Sequence, residues 1–277
     1  MSVRSHYNAK PQQSYSERRQ SPAYLLRLAN NRLKRHLISS LSVYPPSPRL
    51  HVLDIGCGNG GDLQKWAFVA QQRKGVEYVG IDVSDRSIRH ALERYQQMEA
   101  SMESHEFHAR FRVYNTLEPI PELVSQSFDL ISAQFVMNYL CADRRCLDTV
   151  LGTVARCLKE GGFFFGVVLD GKALHTQSNG KNMENDLVSI TWTSPVSYRF
   201  SLVDCVFACE EYVLEETTFQ KALERHGFTL EVWENGYIHW DHYVRGTMPN
   251  LPAEEMAVLS LYAVFIAEKK KKKEEKA

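Results

Sequence analysis

The chain has 277 residues, 44% hydrophobic and 24% charged, and Lys plus Arg and Asp plus Glu both count 33, for a formal net charge of zero. That balance fits a folded domain with a sizeable core and excludes a disordered chain, a collagenous chain and a disulfide miniprotein. Without a net basic field, any contact with a polyanion has to come from a local patch.

Residues 1–20 are polar, loosely held and lack the apolar core of a secretory signal. Ser21 to Ser40 reads as a helix, with Ser21 as its cap, Pro22 in its first turn and an apolar stripe through Leu25, Leu28, Leu33, Leu37 and Ile38. A proline-rich linker follows at 44–48. Strands then alternate with helices: strand 51–55, helix 61–72, strand 78–82, helix 85–100, strands 111–114 and 128–135, helix 143–159 stopped by Gly161, and strand 162–169. This repetition predicts an α/β fold, a mainly parallel sheet with helices on both faces and a ligand beyond the carboxyl ends of the strands.

Residues 170–200 are polar and irregular, an expected insertion or lid. A helix is expected at about 212–226, ending at Gly227, then a strand at 228–233, a loop-rich insertion at 235–257 and a returning strand at 259–268. The charged tail 269–277 reads as a solubilising end, with a touch on RNA or an import signal as the other reading. No window reaches the roughly 20 apolar residues of a membrane span. Cys57, Cys141, Cys146, Cys157, Cys205 and Cys209 form no C-x-x-C pair, which points to reduced thiols in an intracellular protein and against a zinc site.

The strongest signal is Asp54-Ile55-Gly56-Cys57-Gly58-Asn59-Gly60-Gly61, where a strand runs into glycines and then a helix. Glycine permits positive φ and lets a ligand touch the backbone. Gly56-x-Gly58-x-x-Gly61 also fits the dinucleotide fingerprint, and Asp82 at the end of the next strand suits two ribose hydroxyls. Asp54 beside the loop would repel a pyrophosphate but welcomes the sulfonium and ammonium of S-adenosylmethionine. That cofactor is favoured over NAD. Asn115 after the third strand and Gln134 at the end of the fourth stand where the adenine edge and the methionine end would lie; each alone reads as an ordinary loop residue.

With these residues in place, the chain resembles the messenger RNA cap guanine-N7 methyltransferases. The matching stretches are His6-Tyr7-Asn8, the segment 19–38 with Asn30-Asn31-x-x-Lys34, the loop 52–66, 132–140 (SAQFVMNYL), 209–230 and 260–269 (SLYAVFIAEK). The resemblance implies a Rossmann-like class I methyltransferase fold with a mainly parallel seven-stranded sheet. Residues 1–48 would contribute to both ligands, 49–268 would form the methyltransferase domain and 269–277 the tail. By position, Lys34, Asp54, Gly56, Asp82, Asn115, Gln134 and Tyr139 would bind S-adenosylmethionine. Asn30, Asn31, Asn59, Lys65, Arg94, Asn138, Glu211 and Tyr262 would face the cap. Without the resemblance Glu211 is a solvated glutamate, Lys65 and Arg94 are surface charges, and Tyr139 and Tyr262 are core tyrosines. Three positions depart from the family pattern: Asn59 stands for a lysine, Asn138 for a histidine and Asn115 for an aspartate.

The implied reaction is methyl transfer to N7 of the guanosine cap of mRNA. N7 carries a free lone pair, so no catalytic acid, base or metal is expected and alignment is the protein's task. Alternatives are a catalytically silent cap-binding or scaffold protein, and a methyltransferase of the same fold acting on another RNA or a small molecule. Capped RNA is the expected partner, with separate capping enzymes, no membrane and a nuclear location, or a cytoplasmic one for a viral or cytoplasmic replicator.

Overall fold

The computed structural model describes residues 2–9, 15–102, 106–123, 128–247 and 250–271. The chain opens with α1 (Val3–Ala9), α2 (Tyr15–Gln20) and α3 (Tyr24–Leu41). The alternating core follows as β1 (Leu50–Ile55), α4 (Leu63–Gln72), β2 (Val76–Asp82), α5 (Asp85–Glu99), β3 (Phe107–Val113), β4 (Phe128–Gln134), α6 (Met137–Leu140), α7 (Arg144–Cys157) and β5 (Leu158–Leu169). Then come α8 (Gly171–Ser178), β6 (Met183–Glu184), β7 (Val188–Ser194), β8 (Ser197–Leu202) and β9 (Val206–Tyr212). The chain closes with α9 (Glu216–Arg225), β10 (Phe228–Asn235), α10 (Gly236–Tyr243), α11 (Ala253–Leu259) and β11 (Tyr262–Lys269).

The main sheet has seven strands in the order β10-β11-β5-β4-β1-β2-β3. Strands β3, β2, β1, β4 and β5 run parallel, while β11 is antiparallel to both β5 and β10. All of β4 and nearly all of β1 are buried, because helices cover both faces. One core joins α3, α4 and α5 to the sheet, and a second packs α6, α7 and α9 on the opposite face. The strand order reverses between β1 and β4, the point at which such sheets open a crevice.

Several local expectations shift. Residues 3–9 and 15–20 are helical. Helix α3 starts at Tyr24, after a turn in which the Ser21 hydroxyl accepts from the Ala23 N–H, so Ser21 and Pro22 precede the helix. Helix α7 ends at Cys157 and passes straight into β5; Gly161, at φ 72°, sits in the bulge at the start of that strand rather than stopping the helix.

The stretch expected as an irregular lid is α8 followed by a four-stranded antiparallel sheet, β6-β7-β8-β9. Its strands bury Ile190, Tyr198 and Phe200 and expose Thr191 and Arg199, an alternation that a polar composition conceals. Strand β9 occupies 206–212, so the next helix begins at Glu216. The loop-rich stretch 235–257 holds α10, capped by the Asn235 side chain at the Tyr237 and Ile238 N–H groups, and α11. Of the tail, 272–277 lie outside the described residues; Lys269 is no solvated residue, since its ammonium donates to the carbonyls of Ala155 and Leu158.

Candidate functional site

At the crevice, β1 enters a turn in which Gly56, Gly58 and Gly60 hold φ of 70°, 51° and 69°. The Gly56 and Cys57 N–H groups donate to the Ile81 carbonyl at 2.8 and 3.0 Å. A Cβ on Gly56 would stand 2.6 Å from a Val136 methyl, so only glycine fits there. Gly61, the third glycine of the fingerprint, has neither positive φ nor anything that a Cβ would meet; at Gly60 a Cβ would stand 2.7 Å from Leu63 and 3.3 Å from Ala91 of α5.

Next to this turn lies a cavity of about 740 Å³, walled by the glycine turn, the ends of β2, β3 and β4, α6, and residues Ser2, Val3, Arg4 and Tyr7 of the N-terminal segment. Asp82 lines it and accepts from the Gly58 and Ser84 N–H groups at 3.0 and 2.8 Å. Burial pushes its carboxyl above the ordinary range against those hydrogen bonds. Asn115 lines the far wall, fixed by the Leu117 N–H and by Glu118. Gln134 donates to the Ser132 hydroxyl at 3.1 Å, while its buried Oε1 has no hydrogen-bond partner. Such an oxygen calls for a donor from a ligand.

Of the residues assigned to the cofactor, Gly56, Asp82, Asn115, Gln134 and Tyr139 line this cavity; Lys34 and Asp54 do not. Asp54 is buried beneath the turn and accepts from the Tyr78 hydroxyl at 2.7 Å. Burial, with the negative charge of Asp62 added, pushes its carboxyl up. Its place is therefore under the loop, because the pleat aims it away from the open crevice. Lys34 pairs with Asp62 at 2.8 Å, and Lys65 pairs with the same carboxylate at 2.6 Å and with Asn31 at 2.9 Å. Burial alone would raise the Asp62 carboxyl, but the two ammonium groups outweigh it and hold it well below the usual carboxylate range. Asp62 was not among the expected site residues; its three-residue offset from Lys65 was the available signal.

A second group gathers around Tyr139. Strand β9 alternates, turning Glu210 outward and Glu211 inward, where it is only 4% exposed. The Tyr198 hydroxyl donates to Glu211 at 3.3 Å, and Tyr139 hydrogen-bonds the same carboxylate. Burial pushes the Glu211 carboxyl up to about 7, partly offset by the two tyrosines. The Tyr7 hydroxyl lies 3.1 Å from that of Tyr139, with the rings edge-on at 6.2 Å. The neighbouring Asn8 anchors α1: it donates to Asp85 at 2.8 Å and accepts from the Ser84 hydroxyl at 2.7 Å, and its carbonyl accepts from Arg86 at 2.9 Å. Tyr7 was also missed as a site residue; a single tyrosine in a polar leader carries no periodicity.

The remaining substrate-side residues divide. Tyr262 is buried edge-on to Phe135 at 5.1 Å, and the Asn30 side chain hydrogen-bonds its hydroxyl while Asn30 Oδ1 is buried without a partner. Asn59 is exposed at the glycine turn, and Arg94 reaches the Gly60 carbonyl at 3.4 Å. Asn138 has a different place from the one expected. Buried on α6, it donates to the carbonyls of Leu169 and Tyr212 at 3.0 and 3.2 Å and accepts from the Leu169 N–H at 2.9 Å. Its amide is engaged by these backbone groups and by the Tyr198 side chain. Among the described residues no cluster of His, Cys, Asp and Glu could hold a metal, and no helix is long and apolar enough to cross a membrane.

A family model for the mRNA (guanine-N(7))-methyltransferase domain matches residues 1–269. The chain is 31% identical over 253 residues to an mRNA cap guanine-N(7) methyltransferase of Schizosaccharomyces pombe, across 85% of this chain and 68% of that protein. It is 32% identical over 242 residues to the enzyme of the same name from Cryptococcus neoformans, across 82% of this chain and 33% of that protein. The chain thus spans about two thirds of the first relative and one third of the second. Among solved structures it is similar to an S-adenosylmethionine-dependent methyltransferase from Clostridium acetobutylicum, with a TM-score of 0.60 at 15% identity over 87% of this chain and 92% of that one. A magnesium protoporphyrin IX methyltransferase from Synechocystis with bound SAH gives 0.56 at 13% identity, over 96% and 98%. At such identities these structures establish the fold, that of the class I methyltransferases.

Proposed function

The chain belongs to the mRNA (guanine-N7)-methyltransferase family, and on that premise we propose that it transfers a methyl group from S-adenosylmethionine to N7 of the guanosine cap of mRNA. The observation that carries this reading is the shared wall: Tyr139 lines the cofactor cavity and also touches the buried carboxylate of Glu211. A methyl donor on one side and a guanine on the other would meet there.

The residues present fit the cofactor. Gly56 lets the turn close on Val136 at the cavity wall, and the partnerless Gln134 Oε1 suits an ammonium. Asp82 would accept from the ribose hydroxyls, and the Asn115 amide oxygen can take the adenine amino group. S-adenosylmethionine supplies a methyl carbon activated by its sulfonium. On the substrate side, Glu211 would accept from N1–H and the N2 amino group of guanine, the donor pair that a carboxylate complements. Asn30 and Tyr262 would line the same pocket, and Asn31, Asn59 and Arg94 would lie toward the triphosphate; Lys65, expected there, is buried with its ammonium on Asp62, Asn31 and the Gly61 carbonyl, and so supports Asn31 instead. Since N7 has its own lone pair, these residues need only hold it in line with the methyl, in a fixed, water-poor site. Asn138 belongs to this account as a support, stapling α6 to β5 and β9.

The family's chemistry also suggests separate capping enzymes as partners and a nuclear place of work. Methyl transfer assayed with GpppA and m7GpppA side by side tests the reading. Turnover with the first and none with the second is expected; equal turnover, or none with either, would overturn it.

A further inference from the structure

On the second sheet, Trp192 of β7 stands opposite Tyr198 of β8, and Tyr198 stands opposite Glu211 of β9. Residues directly opposite in antiparallel strands share a face, so the three form one row across the sheet. Helix α8 fixes the outer end of that row. The His175 ring stacks on Trp192 at 4.5 Å, and the Trp192 indole N–H donates to the Ser178 hydroxyl at 3.1 Å. Trp192 in turn meets the Tyr198 ring edge-on at 5.6 Å. Tyr198 is fully buried and does not line the cofactor cavity. Its hydroxyl donates to Glu211 Oε2 at 3.3 Å, and the Asn138 side chain hydrogen-bonds the same hydroxyl. Ring and hydroxyl are therefore both held, which leaves the phenol one orientation. The other titratable groups that face Glu211 are Tyr7 of α1, Tyr139 of α6, Cys141 after it, Cys209 of the same strand and Tyr262 of β11. Burial raises every one of these hydroxyls and thiols, so all of them stay neutral where Glu211 titrates. What offsets burial at the carboxylate is the pair of hydroxyls from Tyr139 and Tyr198.

We propose that Tyr198 is a positioning residue for guanine selection: acting through Glu211, it fixes how the carboxylate faces the base and so sets the preference for a purine with an N2 amino group. The proposal rests on the cap-methyltransferase reading and deepens its substrate side. A carboxylate has about four acceptor directions. A donor fixed on Oε2 takes one of them and stops the group from rotating, which leaves Oε1 and the free side of Oε2 for a pair of donors. The same hydrogen bond favours the ionised form, the only one that accepts at both oxygens. Tyr139 cannot serve this end alone, because it also walls the cofactor cavity; Tyr198, anchored through Trp192 to α8, touches Glu211 from the side away from that cavity.

The test uses the full chain with Tyr198→Phe, which removes the hydroxyl and keeps the ring, with Glu211→Gln, and with the double variant. Methyl transfer is measured across the neutral pH range with GpppA and with IpppA, whose inosine lacks the N2 amino group. In Tyr198→Phe the rise of GpppA affinity with pH should move up by about one pH unit, an about tenfold change in the ionised fraction at fixed pH, in line with the weight of one hydrogen bond to a carboxylate. The preference for GpppA over IpppA in kcat/KM should fall about fivefold, while SAH affinity holds. A purely structural role would lower kcat/KM for both substrates alike and leave the pH midpoint in place. In the Glu211→Gln background the same hydroxyl removal should leave the GpppA-to-IpppA ratio unchanged, because its target is gone. A readout without turnover is carbon-13 NMR of protein labelled at the glutamate carboxyls: the resonance missing from Glu211→Gln should titrate about one pH unit higher in Tyr198→Phe. Should Tyr198→Phe not fold, Trp192→Phe, which leaves the hydroxyl but loosens the ring behind it, must lower the same ratio. An unmoved carboxyl titration or an unchanged ratio in the folded variant would overturn the proposal, as would an equal fall in the ratio with Gln at 211. A wild-type protein that methylates no capped substrate would overturn the functional reading instead, and the carboxyl titration would still decide whether Tyr198 governs Glu211.

Discussion

Replacing Glu211 by Gln should stabilise the protein above neutral pH while disabling it. The carboxyl, buried on β9 between Tyr139 and Tyr198, is pushed from 4.5 to about 7. The folded state therefore keeps this proton to a higher pH than the unfolded chain does. Between about pH 4.5 and 7 the folded state binds more protons, so stability falls as pH rises across that window. At roughly 1.36 kcal/mol per pH unit, the shift of about 2.5 units makes the ionised carboxylate a liability of about 3 kcal/mol by pH 8. Gln keeps the shape, offers an oxygen to one tyrosine and can donate to the other, and never ionises. The stability gap in favour of Glu211→Gln should open by about 3 kcal/mol between pH 4.5 and pH 8 in urea unfolding. Turnover should fall, because the amide places a donor against one of the two guanine donors, and unpaired polar groups in such a pocket are costly. In the wild type, affinity for capped substrate should rise with pH through about 7, as the carboxylate forms. A stability gap that does not vary with pH, or a Glu211→Gln enzyme with normal turnover, would refute the reasoning. Glu210→Ala, on the exposed face of the same strand, is the near-silent control.

Asp82→Ala should weaken SAH binding by about 1.5–3 kcal/mol, the weight of a hydrogen bond to a charged group, and calorimetry on the folded variant would show otherwise if the ribose lies elsewhere. Asn138→His should lower the urea midpoint sharply, because an imidazole cannot replace three backbone hydrogen bonds and each orphaned group costs about 1–3 kcal/mol; an unchanged midpoint would mean that α6 is held by other contacts. Asn8→Ala should speed SAH dissociation in stopped-flow measurements, since α1 forms part of the cavity wall and Asn8 anchors it to the β2–α5 turn; an unaltered rate would show that α1 does not restrain the ligand.

The sheet was legible where burial on both faces leaves nearly continuous apolar runs, as in β1 and β4. The second sheet was not, because β7 and β8 bury one face and mix Thr, Ser and Arg with their apolar residues, and β9 carries two glutamates. Helices α10 and α11 were hidden by their shortness, and α10 also by the Gly, His and Asp within it. The helical leader depends on Asn8 reaching Ser84 and Asp85 far along the chain, and no local propensity signals that. On the site, the glycine turn and Asp82 were readable because backbone strain and strand ends leave marks in sequence. The facing of single polar residues was not: Asp54 looked like part of the ligand shell, yet it turns under the loop to Tyr78.

Asn138 shows why a divergent position need not mean a lost activity. It precedes Tyr139, which both walls the cofactor cavity and touches Glu211. Helix α6 has only four residues and cannot hold itself. The Asn138 amide holds it, donating to the Leu169 carbonyl, accepting from the Leu169 N–H and donating to the Tyr212 carbonyl at the end of β9. Strand β9 is also the strand that carries Glu211, so one buried amide ties together the two elements between which the guanine would lie. For a transfer that needs no proton to move, the cost of misalignment is the whole cost. A residue that contacts neither ligand can therefore set the rate by fixing Tyr139 relative to Glu211.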